Sequence, residues 1–447
     1  MQFLLVNLQI AELLALEGES APPPANRALR RASRRAFLWT EEAGELMNQR
    51  RSLTELSGVG PYIERLIVGW VKEMQTAPDP PQIRANFLTM THARSVLAKK
   101  PSWLGGIKGD LQMHTDWSDG EASIAEMAEA ATERGYEYIA ITDHSKGLKI
   151  AGGIDEAQLA QQGREIDAIN GSLAPSGKKL RVLRSVEMNL NPRGEGDMES
   201  GALAKLDIVL GCFHSSLRSK EDQTERYLAA LRNPDIQILG HPRGRIYNHR
   251  LGLSADWKRV FALAAELDKA VEIDSYPDRQ DISPDLVALA NQAGCRISLG
   301  TDSHGPSQLR FIEFGAAAAI IGGVKQDRIV NCMSREDLLS WVASVRGRAT
   351  SNSGARVHLG LDRSLGHPAY TARLEEVTEM AFTKNRRTGK TGGNPGFMPI
   401  DDVTNEEGVL DVEPDSTTGR LASQEEPEDR GTKRRRSARK RSSRKTS

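Results

Sequence analysis

The chain has 447 residues, 38% apolar, 27% charged and 5% aromatic, with 60 Lys and Arg balancing 60 Asp and Glu. This is globular composition, with length for roughly three domains. No run approaches the roughly 18 consecutive apolar residues of a membrane span, Met1–Glu12 lacks the features of a signal peptide, and three scattered cysteines (Cys212, Cys295, Cys332) exclude a disulfide framework, so a cytoplasmic protein without membrane contact is expected.

Residues 1–100 read as a small helical domain. Arg27, Arg30, Arg31, Arg34 and Arg35 fall on neighbouring helical positions and make a basic face. Leu53-Thr-Glu-Leu-Ser-Gly58-Val-Gly60-Pro-Tyr-Ile63 reads as a helix, a Gly-x-Gly turn and a second helix with Pro61 near its start. A helix-hairpin-helix of this kind presents backbone N–H groups at a helix N-terminus to a DNA phosphate without reading sequence. Gly58, Gly60, Arg31 and Arg34 are its expected DNA contacts.

From residue 105 to 346 short β-rich runs alternate with amphipathic helices, the pattern of a parallel α/β fold. Seven strands are expected: Ile107–Gln112, Tyr138–Thr142, Leu180–Val186, Asp207–Gly211, Ile236–Gly240, Ala270–Ile273 and Arg296–Gly300. Helical stripes such as Ile124, Met127, Ala128 and Ala131 lie between them. Ligands of such folds gather at the carboxyl ends of the strands.

Residues 347–447 read as a disordered charged tail. Asp401–Asp429 carries eleven acids against one Arg, and Lys433–Lys445 carries nine basic residues and no acid. Such blocks cannot bury enough apolar surface to offset chain entropy.

The chemistry shows in the histidines. Of nine, His114, His144, His214, His241 and His304 each fall just after an expected strand, as do the acids Asp119, Glu187 and Asp302. Packing would demand a separate buried partner for each. A divalent metal cluster satisfies all of them together.

Asp110-Leu-Gln-Met-His114-Thr-Asp-Trp-Ser-Asp119-Gly, Ile141-Thr-Asp-His144-Ser, Ser185-Val-Glu187, Phe213-His214-Ser, Gly240-His241-Pro and Gly300-Thr-Asp302-Ser-His304 resemble, in order, the motifs of the PHP (polymerase and histidinol phosphatase) superfamily. The likeness is greatest to the PHP domain of bacterial family-X DNA polymerases, and residues 1–100 resemble their helix-hairpin-helix domain. The resemblance implies a distorted seven-stranded (α/β)7 barrel with two or three metal ions at its mouth. It implies Gln112, His114, Glu187 and Asp302 around the first ion, Glu187, His214 and His241 around the second, and Asp119, His144 and His304 around the third. Glu187, His214, His241 and Asp302 would carry the catalysis. The family has His where Gln112 stands, and a neutral carbonyl oxygen favours Mn over Zn, with Fe or Mg also admissible. Arg245, Arg279 and Lys149 match positions near the family's mouth and are the expected phosphate contacts.

No polymerase palm follows the hairpin, since too few residues separate Tyr62 from Ile107. The family's lyase-type lysine position is Leu66 here, so Schiff-base chemistry is not implied. Three functions are consistent with this reading. The first is a metal-dependent phosphoesterase acting at DNA 3′ ends, as 3′–5′ exonuclease or 3′-phosphatase, beside a separate polymerase or ligase. The second is a phosphatase of small phosphate esters of the histidinol-phosphatase type. The third is a non-catalytic DNA-end binding module.

Overall fold

The computed structural model describes residues 5–174 and 179–358, so most of the expected tail lies outside the described residues. Five helices come first: α1 (Asn7–Ser20), α2 (Ala25–Arg35), α3 (Ala43–Asn48), α4 (Pro61–Lys72) and α5 (Met90–Ala98). Ile10, Leu14, Leu29, Phe37, Trp39, Leu53, Val59, Ile63 and Ile67 close a core of their own. The segment before Gly58 is a 3-10 turn, Leu53–Glu55, where a helix was expected. Glu64 explains it: its Oε1 accepts from Leu53 N at 2.8 Å and Ser52 Oγ at 2.7 Å, pinning the turn to α4. Helix α5 departs from the expected boundary too. Met90, Ala93 and Leu97 bury themselves in the core of the following barrel.

That barrel has strands β1 (Gly109–Asp110), β2 (Tyr138–Ile141), β3 (Arg181–Arg184), β4 (Glu187–Asn189), β5 (Leu210–Cys212), β6 (Ile238–Leu239), β7 (Ala270–Asp274) and β8 (Arg296–Gly300). Its helices are α6 (Ile124–Glu133), α7 (Glu156–Leu173), α8 (Ser200–Leu203), α9 (Thr224–Arg232), α10 (Trp257–Glu266), α11 (Pro284–Gln292), α12 (Ile312–Ile321) and α13 (Arg335–His358). All pairings between these strands are parallel, in two sheets of order β1-β2-β3 and β4-β5-β6-β7-β8. Only two residues separate β3 from β4, so they are halves of one kinked strand and the barrel has the seven positions read from the sequence. It is distorted where β8 meets β1. There the Asn331 side chain stands in for ladder rungs: Nδ2 donates to Gly109 O (2.9 Å) and Leu299 O (2.8 Å), and Oδ1 accepts from Leu299 N (2.7 Å). The substitution of a side chain for a strand partner leaves β1 much shorter than the expected Ile107–Gln112.

Helix α13 runs through the expected domain limit at residue 346. Leu338, Trp341, Val342 and Val345, one helical stripe, join Leu111, Ala140, Leu183, Leu210 and Ile238 in the inner core. No helix among the described residues is long and apolar enough to cross a membrane.

Residues 83–88 lock the helical domain to the loops after β6 and β7. Ile83 O accepts from Asn248 N (3.2 Å), Gln280 bonds both N (2.8 Å) and O (2.9 Å) of Leu88, and Tyr247 sits edge-on to Phe37 and Phe87 with its hydroxyl 3.1 Å from Ser33 Oγ.

Candidate metal centre

The parallel strands deliver the site residues to one rim. Gln112 and His114 follow β1, His144 follows β2, Glu187 opens β4, His214 follows β5, His241 follows β6, and Asp302 and His304 follow β8. Asp302 adopts φ +52°, a left-handed conformation uncommon outside glycine, and it is held there by Asp302 N donating to Gln112 O at 3.1 Å. Two buried carboxylates brace the loops. Asp143 accepts from Thr115 N (2.8 Å), Thr115 Oγ1 (2.6 Å), Ser118 Oγ (2.5 Å) and Gln162 Nε2 (2.7 Å), tying the loop that carries Asp119 to the one that carries His144. Asp110 takes Gln112 N (3.2 Å) and Thr301 N (3.1 Å), tying β1 to β8. Both stood inside quoted motifs without a role assigned to them. Asn189, two residues beyond Ser185-Val-Glu187, was missed as well: its Oδ1 lies 3.1 Å from His214 Nδ1 and turns that ring's Nε2 inward.

The expected ligands come to one rim, but the donor atoms that lie within 4.8 Å of one another group as His114–His144–Glu187, His114–Asp302–His304 and Glu187–His214–His241; the last is an expected set, whereas His144 and His304 fall with His114 and not with Asp119. Glu187 Oε2 lies 2.9 Å from Gln112 Nε2 and 3.2 Å from His114 Nε2, which is 2.9 Å from Asp302 Oδ1. Glu187 Oε1 lies 2.8 Å from His214 Nε2 and 2.7 Å from His241 Nε2. Asp119 Oδ2 lies 3.5 Å from His144 Nε2 and 3.6 Å from His304 Nε2. The rings of His114 and His144 stack at 4.4 Å. Glu187, common to the first and last of these groups, is 1% exposed.

Protons alone hold this arrangement poorly. Burial disfavours the charged imidazole of both His214 and His241, and the two share one Glu187 oxygen. Glu187 wins at His241, pushed up to about 10, while burial and the neighbouring imidazoles take His214 down to about 4. Against the same burial penalty the surrounding histidines hold Glu187 and Asp119 well below the carboxylate range, and Arg279 with His114 does so for Asp302. Gln112 Oε1 and the Nδ1 atoms of His114, His144 and His241 are buried without a hydrogen-bond partner. Imidazole and carboxylate donors at these separations can hold divalent cations, which would neutralise the carboxylates without charging the rings; the donor set fits a metal cluster.

The cluster floors a cleft of about 360 Å³ with an apolar lip of Leu148, Ile150, Leu217 and Ile246 and with Tyr276, Asp278 and Arg279 on its wall. Arg279 enters the cleft, its Nε 3.3 Å from Asp302 Oδ2. Lys149 is exposed beside the lip and is not among the residues that line the cleft. Arg245 differs from expectation. Its guanidinium turns away from the cleft, donating to Arg279 O (2.9 Å), Ala85 O (3.3 Å), Asn86 O (2.9 Å) and Gln280 O (2.9 Å) and lying 3.9 Å over the Phe87 ring. Four carbonyls take four of its five N–H groups, so it fastens the two parts of the molecule and is turned away from a phosphate in the cleft.

In the hairpin, Gly58 has φ +78° and Gly60 caps α4, whose first two residues, Pro61 and Tyr62, are exposed. Trp39 Nε1 donates to Ser57 O at 2.9 Å and fixes the turn. Arg35 packs over Gly58, and a Cβ there would stand 3.1 Å from Arg35 Cγ. Arg31 is exposed on α2, and Arg34 is half-buried toward the barrel. Burial pushes Asp278 up to about 6 against the pull of Arg279 and Arg34, so α2 lies within electrostatic reach of the cleft wall.

The family model of the PHP domain matches residues 110–281. The DNA polymerase/3′-5′ exonuclease PolX of Bacillus subtilis is 39% identical over 236 residues, which are 53% of this chain and 41% of that protein; the chain thus matches less than half of that relative's length. A probable phosphatase of Photobacterium profundum is 30% identical over 44% of this chain and 77% of its own length. The solved structure of histidinol phosphate phosphatase from Lactococcus lactis, complexed with zinc, L-histidinol and phosphate, is similar over 49% of this chain and 95% of that one, at 19% identity and a TM-score of 0.37.

Proposed function

The chain belongs to the PHP domain family, and from this premise we propose that it is a metal-dependent phosphoesterase that hydrolyses phosphoester bonds at DNA 3′ ends, as a 3′–5′ exonuclease or 3′-phosphatase. Gln112, His114, Glu187 and Asp302 would hold one ion, Glu187, His214 and His241 a second, and Asp119, His144 and His304 a third, with manganese favoured by the amide at Gln112. When bound, such a cluster acidifies water and offsets phosphoryl charge.

The chain's own groups supply the rest. Asn189 keeps His214 in the orientation that aims Nε2 at Glu187. Arg279, steadied by Asp302, presents its remaining N–H groups to phosphoryl oxygens at the cleft wall. Leu148, Ile150, Leu217 and Ile246 exclude water from one side of the cleft and offer a face to a nucleoside.

The observation that carries the DNA reading is the docking of the helical domain on the cleft loops. Residues 83–88 bond to Asn248 and Gln280, and Ser33 of α2 meets Tyr247, so the basic helix stands beside the loops that carry Arg279, with the hairpin turn at Gly58 packed against its Arg35. A strand held by its phosphates at the N-terminus of α4 and along α2 would lead into the cleft. A second reading, hydrolysis of small phosphate monoesters, is supported by the likeness to a probable phosphatase over 77% of that protein.

Salt separates the two. On the DNA reading, KM for a DNA end rises steeply between 50 and 200 mM salt while KM for a small monoester stays nearly flat, because only the former releases counterions from a backbone. Equal salt responses would favour the second reading.

A further inference from the structure

Beneath the cluster, two buried oxygens face one niche and neither has a hydrogen-bond partner: Gln112 Oε1 and Glu272 Oε1. Both residues are fully buried. The niche exists because residue 300 is glycine. A Cβ there would collide with Glu272 Oε1 and stand 2.9 Å from Gln112 Oε1. The other Glu272 oxygen, Oε2, is already used, accepting from His241 N at 2.7 Å. On the opposite side the Gln112 amide turns its Nε2 to Glu187 Oε2 at 2.9 Å, beside His114 and Asp302.

The two ends of a carboxamide have nearly the same shape, so a half-turn about its last torsion exchanges them without moving a neighbour. In the turned orientation Nε2 faces Glu272 and Oε1 faces the group formed by His114, Glu187 and Asp302. Both orphaned oxygens are then satisfied at once, one by an N–H and the other by a cation. A divalent ion at that group favours the turn, since it attracts the carbonyl oxygen and repels the amide hydrogens.

We propose that Glu272 is the positioning residue of the first metal site, accepting an N–H from Gln112 so that the Gln112 carbonyl oxygen is presented to the ion. Glu272 touches neither the ion nor the substrate. It does for a glutamine what a carboxylate does for a metal-bound histidine, fixing the ligand's orientation from behind. His241 N on Oε2 and Gln112 Nε2 on Oε1 occupy both oxygens of one carboxylate, so the same residue braces ligands of the first and second sites.

This inference rests on the metal-dependent reading above, and the two fail differently. The test is metal content and affinity, by mass spectrometry and calorimetric refilling of stripped protein with manganese, for wild type, Glu272→Gln and Gln112→Ala. A glutamine at 272 has one acceptor for two N–H groups. Glu272→Gln should weaken one manganese ion about 10–100-fold and leave the Asp119–His144–His304 ion unchanged. Gln112→Ala should weaken the same ion, and the double variant should be no worse than Gln112→Ala alone. Wild-type affinity for every ion in Glu272→Gln would overturn the proposal.

If Glu272→Gln fails to fold, the crystal structure of the manganese-loaded wild type decides. The Gln112 oxygen at about 2.0–2.6 Å from the ion, with Nε2 turned to Glu272, upholds the proposal. Nε2 on Glu187 with Oε1 on a protonated Glu272 overturns it. No manganese bound to wild type would instead sink the metal-dependent function itself.

Discussion

The guanidinium of Arg245 lies 3.9 Å over the ring of Phe87 and spends its N–H groups on four backbone carbonyls, two of them from the segment that joins the helical domain to the barrel. Burial lowers this arginine to about 10. Arg245→Met strands those carbonyls and removes the cation–π contact, so stability to urea should fall by about 2–4 kcal/mol. Turnover of a small phosphate monoester should stay within about threefold, because the side chain never reaches the cleft. A hundredfold loss of kcat/KM at unchanged stability would return Arg245 to the substrate.

Arg279 should behave in the opposite way. It lines the cleft and pairs with Asp302 beside the cluster. Arg279→Ala should lower kcat/KM by about 10²–10³, the usual cost of removing a fixed donor from developing charge, with metal content by mass spectrometry unchanged. Loss of an ion in this variant would mean that its role is to hold Asp302.

Lys269, at the foot of β7, gives the pH dependence of stability a definite sign. It is 3% exposed, its Nζ donates to Asn233 O at 2.5 Å, and burial lowers it from 10.5 to about 7. Between those values the unfolded chain binds a proton that the folded protein does not, so this residue makes stability rise with pH. The slope approaches about 1.4 kcal/mol per pH unit. Above 10.5 both states are neutral and below 7 both are charged, so the contribution is flat outside the window. Lys269→Met should remove the slope, leaving the wild type about 3 kcal/mol less favoured at pH 7 than at pH 9.5 relative to the variant in urea melts. Parallel profiles for both proteins would show that Lys269 keeps its charge when folded.

Gly58→Val tests the hairpin. The valine would adopt φ +78° and meet Arg35 Cγ at 3.1 Å, straining the turn by about 1–2 kcal/mol and shifting the backbone that precedes α4. DNA-end affinity should fall at least about tenfold while small-monoester hydrolysis is retained. Undiminished DNA affinity would make the turn a plain connection between helices.

The site was legible in the sequence because its signal is positional. Histidines and acids directly after β-rich runs in a parallel fold must share one rim, and the structure gathers Gln112, His114, Asp119, His144, Glu187, His214, His241, Asp302 and His304 there. Arg245 was not legible. In His-Pro-Arg-Gly-Arg the fate of each arginine depends on the loop backbone, and Gly244, at φ +58°, turns Arg245 toward Phe87. Asn331 was equally hidden, since no local pattern says that a side chain will replace strand rungs across a barrel seam. The stripe Leu338, Trp341, Val342 and Val345 did carry the helical period, but charge begins just beyond it and the boundary at 346 cut the helix that plugs the barrel floor. Glu272 escaped notice because nothing in Ala270–Asp274 distinguishes a buried brace from an ordinary strand acid.

The central claim, metal-dependent hydrolysis at DNA ends, is tested most directly by stripping the full chain of metal, refilling it with manganese, zinc or magnesium, and offering gapped DNA with a labelled 3′ end beside histidinol phosphate at equal concentration. Trimming of the labelled end should depend on manganese and be lost in Glu187→Ala, with little release of phosphate from the monoester. Rapid monoester hydrolysis with the DNA end intact would contradict it.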